Sequence, residues 1–165
     1  MSPFSIIDIE YELGEETLEI KDLFERPERI IERTGIEKVY KTNISSENLA
    51  LKAAKKVLDR NNINPDVLIY VTQSQKFILP GSGVLLHDQI KLKKNCSVFD
   101  INAGCSGFVQ ALILASSLLK SNKYILIICA DQYRAKLSEK DRSTKAVFSD
   151  GASAIIVSSE PKLKI

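Results

Sequence analysis

Histidine and tryptophan are the residues that this sequence has least of: its 165 residues include one histidine, His87, and no tryptophan. Imidazole supplies much of the acid–base and metal chemistry of proteins, so a mechanism that needs two histidines cannot be complete within these residues. Excess charge is also nearly absent, with 23 Lys and Arg against 21 Asp and Glu. The net charge of +2 gives no reason to expect nucleic acid or a membrane surface as a partner.

Cysteine is scarce, and its three positions, Cys96, Cys105 and Cys129, lack the C-x-x-C spacing of zinc sites and redox motifs. This pattern predicts neither a disulfide framework nor a metal site, and it favours a reducing compartment, the cytoplasm. The apolar runs are shorter than the roughly 20 residues that span a bilayer, and the first residues carry acids where a signal peptide carries bases. We therefore expect a soluble cytoplasmic protein without a metal or a bound cofactor.

The distribution of apolar residues predicts an α/β fold in one domain, residues 1–165. Predicted strands and helices alternate from residue 67 onward, which is typical of a mainly parallel sheet with right-handed crossovers and helices against its faces. The predicted strands are 4–9, 67–72, 98–101, 124–130 and 152–158. The predicted helices follow Ser45 or Ser46, follow Pro80 to about Lys91, and cover 105–119.

Two further segments carry weaker local signals. An acidic amphipathic stretch at 18–33 is split by Pro27, which either interrupts a helix or begins a second one. Near the end, 146–149 and 152–158 flank Asp150-Gly151, a dipeptide favoured in tight hairpins. The sheet is therefore expected to be mixed, closing with an antiparallel pair.

The segment at 99–108 reads FDINAGCSGF and places Cys105 where a buried strand turns into a buried helix. Unpaired N–H groups and the positive end of the helix dipole favour ionisation of a thiol there and stabilise an oxyanion beside the sulfur. Gly104 and Gly107 fit, because a strained turn needs permissive backbone angles and a close helix–strand crossing needs a residue without Cβ. From spacing alone, Cys105 is either a nucleophile or an inert core cysteine, whereas Cys96 and Cys129 are predicted to be structural.

Three segments occur in the order and spacing of a known family. They are RTGI at 33–36, the cysteine segment at 99–108, and Asp141-Arg142 followed by FSDGASA at 148–154. Together they resemble 3-oxoacyl-[acyl-carrier-protein] synthase III, the initiating condensing enzyme of bacterial fatty acid synthesis. The resemblance implies a thiolase-like fold of two stacked α/β halves, and a homodimer. Residues 1–165 would be the N-terminal half, with a mixed, mostly parallel five-stranded sheet and helices on both faces.

The resemblance also implies a reaction. Cys105 would be acylated by an acyl-CoA or acyl-carrier-protein thioester, and the complete enzyme would condense the acyl group with malonyl-acyl-carrier protein with loss of CO2. The histidine and asparagine that promote decarboxylation belong to the family's C-terminal half, so residues 1–165 alone are expected to be inactive. His87 does not replace them, because it falls at a variable family position beside Asp88 on a predicted solvated face.

Arg33 and Arg142 match basic residues at the family's CoA entrance, where they would meet phosphates of CoA or phosphopantetheine; otherwise they are ordinary surface arginines. The chain departs from the family at Arg29, which stands in place of an adenine-stacking tryptophan, and at Ser149 and Ser153, which replace glycines. The donor stays open between acyl-CoA and acyl-carrier protein. Two other functions stay open as well: a non-decarboxylating acyltransferase of the same superfamily and a non-catalytic assembly module.

Overall fold

The computed structural model describes residues 4–138, 141 and 144–160, and its main element is a five-stranded sheet. The strands of this sheet are β1 Ser5–Leu13, β4 Val67–Val71, β5 Ser97–Ile101, β6 Tyr124–Asp131 and β7 Gly151–Ser158. Their order across the sheet is β1-β7-β6-β4-β5. A separate antiparallel pair is formed by β2 Glu16–Glu19 and β3 Lys38–Lys41.

The helices begin and end where local chemistry favours it. They are α1 Ile20–Leu23, α2 Pro27–Thr34, α3 Ser46–Asn61, α4 Ser82–Ile90 and α5 Gly107–Leu118. Pro27 is the first residue of α2, which confirms the second of the two interpretations of that proline. The hydroxyl of Ser45 accepts a hydrogen bond from the Asn48 N–H at the start of α3, and Asn62 ends the helix in the left-handed conformation.

The predicted fold class is confirmed. Strand β4 pairs in parallel with both β5 and β6, whereas β7 runs antiparallel between β1 and β6. All five residues of β4 are buried, since α3 and α4 cover one face of the sheet and α5 covers the other. The carboxyl ends of β4, β5 and β6 therefore lie at one edge of the sheet, where α/β proteins place their functional residues.

The predicted hairpin around Asp150-Gly151 is wrong. Residues 144–147 form a turn, and β7 begins at Gly151 and pairs with β1 and β6. The backbone N–H of Asp150 donates to the Tyr40 carbonyl, and the Asp150 carbonyl accepts from the Gly14 N–H. Pairing between residues distant in sequence therefore replaces the local hairpin.

The strands β2 and β3 were not predicted from the sequence. They pack with α1 and α2 around a small apolar cluster centred on Ile20, Val39 and Ala146. No helix among the described residues is long and apolar enough to cross a membrane.

Candidate active site

Cys105 lies in a 3-10 turn, residues Gly104–Ser106, between the end of β5 and the first residue of α5. Its side chain is exposed. The turn is held by the Ser106 hydroxyl, which donates to the Ala103 carbonyl at 2.7 Å and accepts from the Gln110 amide at 3.0 Å. The sulfur is therefore accessible to a reactant at the N-terminal end of a helix, which favours the nucleophile over the inert core cysteine.

Two glycines shape this turn, one by its backbone angles and the other by its lack of a Cβ. Gly104 has a φ of 57°, in the left-handed region that other residues rarely adopt. A Cβ on Gly107 would lie 2.5 Å from Cγ1 of Val71, the last residue of β4. The absence of a side chain at Gly107 thus lets α5 begin directly against the sheet.

A polar segment that follows β4, residues 72–75, forms the neighbouring wall of the site. The Thr72 N–H donates to the Ile101 carbonyl at 3.1 Å, and the Asn102 side chain donates to the Gln75 side-chain carbonyl at 3.2 Å. Sequence reasoning did not single out these residues. The available signal was the polar run Thr-Gln-Ser-Gln directly after a buried strand, since the ends of parallel strands meet at one edge.

A cavity of about 300 Å³ opens at the end of β6 and the start of β7. Ser149 and Ser153, which replace family glycines, both line it, together with Asp131 and Cys129. Burial raises the pKa of Cys129 to about 11, so this thiol is protonated near neutral pH. Burial also raises the pKa of Cys96. Cys96 is buried and Cys129 is half-buried, which fits the structural role predicted for both.

Asp150 of the FSDGASA segment is fully buried and joins three parts of the chain. Its carboxylate accepts hydrogen bonds from the Thr42 N–H at 3.0 Å and the Arg134 N–H at 2.8 Å. The Arg134 guanidinium in turn donates to the carbonyls of Lys145 and Phe148, at 2.8 Å each. This network joins Arg134 to Lys145 and Phe148 and fixes Asp150, which lines the cavity.

The remaining predicted residues lie apart from the cysteine turn or outside the described residues. Arg33 is exposed in the last turn of α2, and within the described ranges no hydrogen bond or ion pair joins it to residues 101–107. Arg142 lies outside the described residues. His87 lies on α4, where its Nε2 is 3.1 Å from the Lys93 carbonyl, a contact that joins the helix to the loop that follows it.

The described part of the chain contains no group of three or more His, Cys, Asp or Glu residues that could hold a metal ion. The chemistry that its geometry offers is that of a single accessible thiol at the start of α5. Such a thiol, with N–H groups of the turn beside it, is placed to attack an electrophilic carbonyl and to stabilise the oxyanion that forms.

Comparison with known proteins shows which family the chain resembles. A model of 3-oxoacyl-[acyl-carrier-protein (ACP)] synthase III matches residues 99–165, the part that contains Cys105. The structure of 3-oxoacyl-[acyl-carrier-protein] synthase III from Aquifex aeolicus VF5 is similar with a TM-score of 0.87 at 32% identity, over 94% of this chain and 54% of that one. The enzyme of the same name from Pseudomonas aeruginosa PAO1 gives a TM-score of 0.86 at 25% identity, over 96% and 51%.

A third structure shares the fold at lower identity. The priming β-ketosynthase from the R1128 polyketide biosynthetic pathway has a TM-score of 0.86 at 20% identity, over 94% of this chain and 49% of that one. The chain thus spans about half the length of the solved structures that it matches. By family model, sequence and fold, the chain corresponds to the N-terminal half of the 3-oxoacyl-[acyl-carrier-protein] synthase III family.

Proposed function

We propose that Cys105 is the acyl-accepting nucleophile of a condensing enzyme of fatty acid biosynthesis, and that residues 1–165 form the N-terminal domain of that enzyme. The observation that carries the proposal is the exposed thiol on the turn between Gly104 and Gly107, at the head of α5. A cysteine in this position combines access for a thioester with nearby N–H groups for the developing oxyanion.

In the first step the thiolate of Cys105 attacks the carbonyl carbon of an acyl thioester. The new C–S bond forms as the carbonyl becomes an oxyanion, for which the Cys105 N–H is one donor. Collapse of this intermediate breaks the bond to the donor's sulfur, and the departing thiolate takes up the proton that Cys105 gave up. The products are acyl-Cys105 and free CoA or carrier protein, and no metal or bound cofactor is needed.

In the second step malonyl-acyl-carrier protein loses CO2, and the carbanion that results attacks the thioester carbonyl of acyl-Cys105. A carbon–carbon bond forms, the C–S bond to Cys105 breaks, and 3-oxoacyl-carrier protein is released with the thiolate restored. The group that stabilises the developing enolate is expected outside residues 1–165. This chain alone is therefore expected to accept an acyl group without condensing it.

The partners follow from the same proposal. Acyl-CoA or acyl-carrier protein donates the acyl group, with Arg33 and Arg142 as candidates to bind the phosphate groups of the donor. Two copies would associate as a homodimer. The exposed thiol suits a reducing compartment such as the cytoplasm.

Mass spectrometry of the full-length enzyme, of which residues 1–165 are the proposed N-terminal domain, tests the nucleophile. Incubation with an acyl-CoA or an acyl-carrier protein should add one acyl group to the peptide that contains Cys105. Cys105→Ser should abolish the addition, whereas Cys129→Ser, the matched control in β6, should retain it. An unaltered protein that gains no acyl group from either donor would contradict the proposal.

Two further measurements separate the competing functions. Release of CO2 from malonyl-acyl-carrier protein by the acylated full-length enzyme indicates a condensing enzyme, whereas acyl transfer without CO2 indicates the non-decarboxylating acyltransferase. A non-catalytic assembly module would leave Cys105 no more reactive towards iodoacetamide than a thiol of the unfolded chain. We expect CO2 release and selective labelling of Cys105.

A further inference from the structure

We infer that Asp131 is a positioning residue for Cys105, because its carboxylate fixes the segment 72–75 that packs against the cysteine turn. Asp131 is the last residue of β6, and Cys105 follows β5, so β4 lies between the two strands that carry them. The chemical significance of this inference rests on the proposed function of Cys105.

One oxygen of Asp131 gathers three donors from the segment. Its Oδ1 accepts from the Thr72 hydroxyl at 3.0 Å, the Gln73 N–H at 2.7 Å and the Ser74 hydroxyl at 2.9 Å. Thr72 and Ser74 are buried, so their hydroxyl groups have little access to water as an alternative partner. Without this acceptor the Gln73 N–H loses its partner, and only one of the two hydroxyl groups can donate to the other, 3.3 Å away, which favours rearrangement of the segment.

The same segment is bonded to the residues that lead into the cysteine turn. Besides the bonds from the Thr72 N–H to the Ile101 carbonyl and from Asn102 to Gln75, the Gln73 side-chain oxygen lies 3.7 Å from the position that a Cβ would take on Gly104. A shift of the segment would therefore be transmitted to the residues that precede Cys105.

Bonds from the chain that follows β6 reinforce this arrangement. The Ser74 hydroxyl accepts from the Gln132 N–H at 2.8 Å, and the Lys136 ammonium donates to the Gln73 carbonyl at 3.3 Å. Residues that follow β6 therefore bind the segment 72–75 on one side, and residues at the end of β5 bind it on the other. Among the described residues, the Asp131 carboxylate forms the most hydrogen bonds to it.

The chain supplies a matched control at the opposite end of the same strands. Asp66, just before β4, accepts from the Lys123 N–H at 2.7 Å and the Tyr124 N–H at 3.1 Å, where β6 begins. Asp66→Ala therefore removes a comparable carboxylate bridge between β4 and β6, far along the strands from Cys105. A merely structural role for Asp131 predicts the same outcome for both alanine variants.

The experiment compares Asp131→Ala, Asp131→Asn and Asp66→Ala in the full-length enzyme. The first readout is amide hydrogen exchange of the peptide that covers 101–107, and the second is the rate of acyl transfer to Cys105 from acyl-CoA. Asp131→Ala should speed exchange and slow acyl transfer about tenfold each, because the turn leaves its reactive geometry. Asp131→Asn keeps the acceptor oxygen and should restore both, and Asp66→Ala should change neither.

Equal exchange over 101–107 in the two alanine variants would overturn the inference, as would a failure of Asp131→Asn to restore it. If Asp131→Ala does not fold, Ser74→Ala removes one of the three donors and should speed exchange over 101–107 in smaller measure; unchanged exchange there would also overturn it. An unaltered protein that is not acylated contradicts the proposed function, and the exchange comparison still decides the role of Asp131.

Discussion

Gly107 determines how closely the first turn of α5 can approach the sheet. A methyl group there would lie 2.5 Å from Cγ1 of Val71, well inside normal contact distance. In an unobstructed helix an exchange of glycine for alanine stabilises the protein, so the sign of the effect at this position reports the contact with the strand. The cysteine turn precedes Gly107 directly, and it would be displaced together with the start of α5.

We expect Gly107→Ala to lower the free energy of unfolding by about 1–3 kcal/mol, as overpacked positions do. Val71→Ala removes the atom that the new methyl group would meet, so the double variant should be less destabilised than the sum of the single ones. Urea unfolding of all three variants measures this coupling.

Ser117→Ala is the control for that cycle, because Ser117 is exposed on the same helix. Its free energy of unfolding should stay within about 0.5 kcal/mol of the unaltered protein. Additive effects of Gly107→Ala and Val71→Ala would show that the contact between helix and strand does not limit the packing of α5.

At the scale of elements, the edge strand β1 is joined to α3 by a ladder of ion pairs. Arg60 contacts Asp8 through two hydrogen bonds of 2.7 Å and also contacts Glu10, while Lys56 contacts Glu12 at 2.5 Å. The hydrogen bonds from Arg60 lower the pKa of Asp8 from its ordinary 3.8 to about 2. The Lys56 ammonium likewise lowers the pKa of Glu12. The ion pairs between β1 and α3 therefore require ionised carboxylates, in addition to the pairing of β1 with β7.

Because the pKa of Asp8 is lower in the folded protein than in the unfolded chain, its contribution is fully present above about pH 4 and is lost as the pH falls towards 2. Asp8→Asn should be less stable than the unaltered protein at pH 7, and the difference should shrink between pH 4 and pH 2. Urea unfolding across that range measures it.

Asp59→Asn, at an exposed acid of α3, should unfold like the unaltered protein throughout this range. A difference between Asp8→Asn and the unaltered protein that stays constant down to pH 2 would rule out ionisation of Asp8 as its cause.

At the scale of the whole molecule, a loop beside the sheet edge formed by β5 presents apolar side chains to solvent. Ile78 and Leu79 are 84% and 89% exposed, at the tip of the loop before α4. The buried Glu47 carboxylate holds both ends of this loop, accepting from the Lys76 N–H at 3.0 Å and the Ser82 hydroxyl at 2.7 Å. The adjoining strand β5 is the last strand of the sheet order. An edge strand beside a fixed apolar tip favours association with another chain.

We therefore expect the protein to self-associate, as the proposed homodimer requires. The double variant Ile78→Asp/Leu79→Asp should shift sedimentation velocity profiles towards the monomer, because it places two charges on the tip. Val147→Asp changes an exposed apolar residue elsewhere and should leave association unchanged. A clean monomer of the unaltered protein at tens of micromolar would contradict this expectation.

Local patterns in the sequence determined the main elements and the candidate nucleophile. Helix α3 and strand β4 lie within a residue or two of their predicted positions, because a Ser45 cap and an apolar run act over a few neighbouring residues. The turn at Cys105 was predictable for the same reason, since its glycines flank it directly.

Only the tertiary structure decided which distant residues complete that turn. Asp131 lies 57 to 59 residues from the donors that it binds. Asp150 lies 108 residues from Thr42 in a network where the local sequence predicted a hairpin. Hydrogen bonds of this kind form only once the strand order has brought the loops together, and no local propensity encodes them. The sequence by itself thus determined the fold class and the position of the candidate nucleophile, while long-range pairing determined which residues surround the turn that carries it.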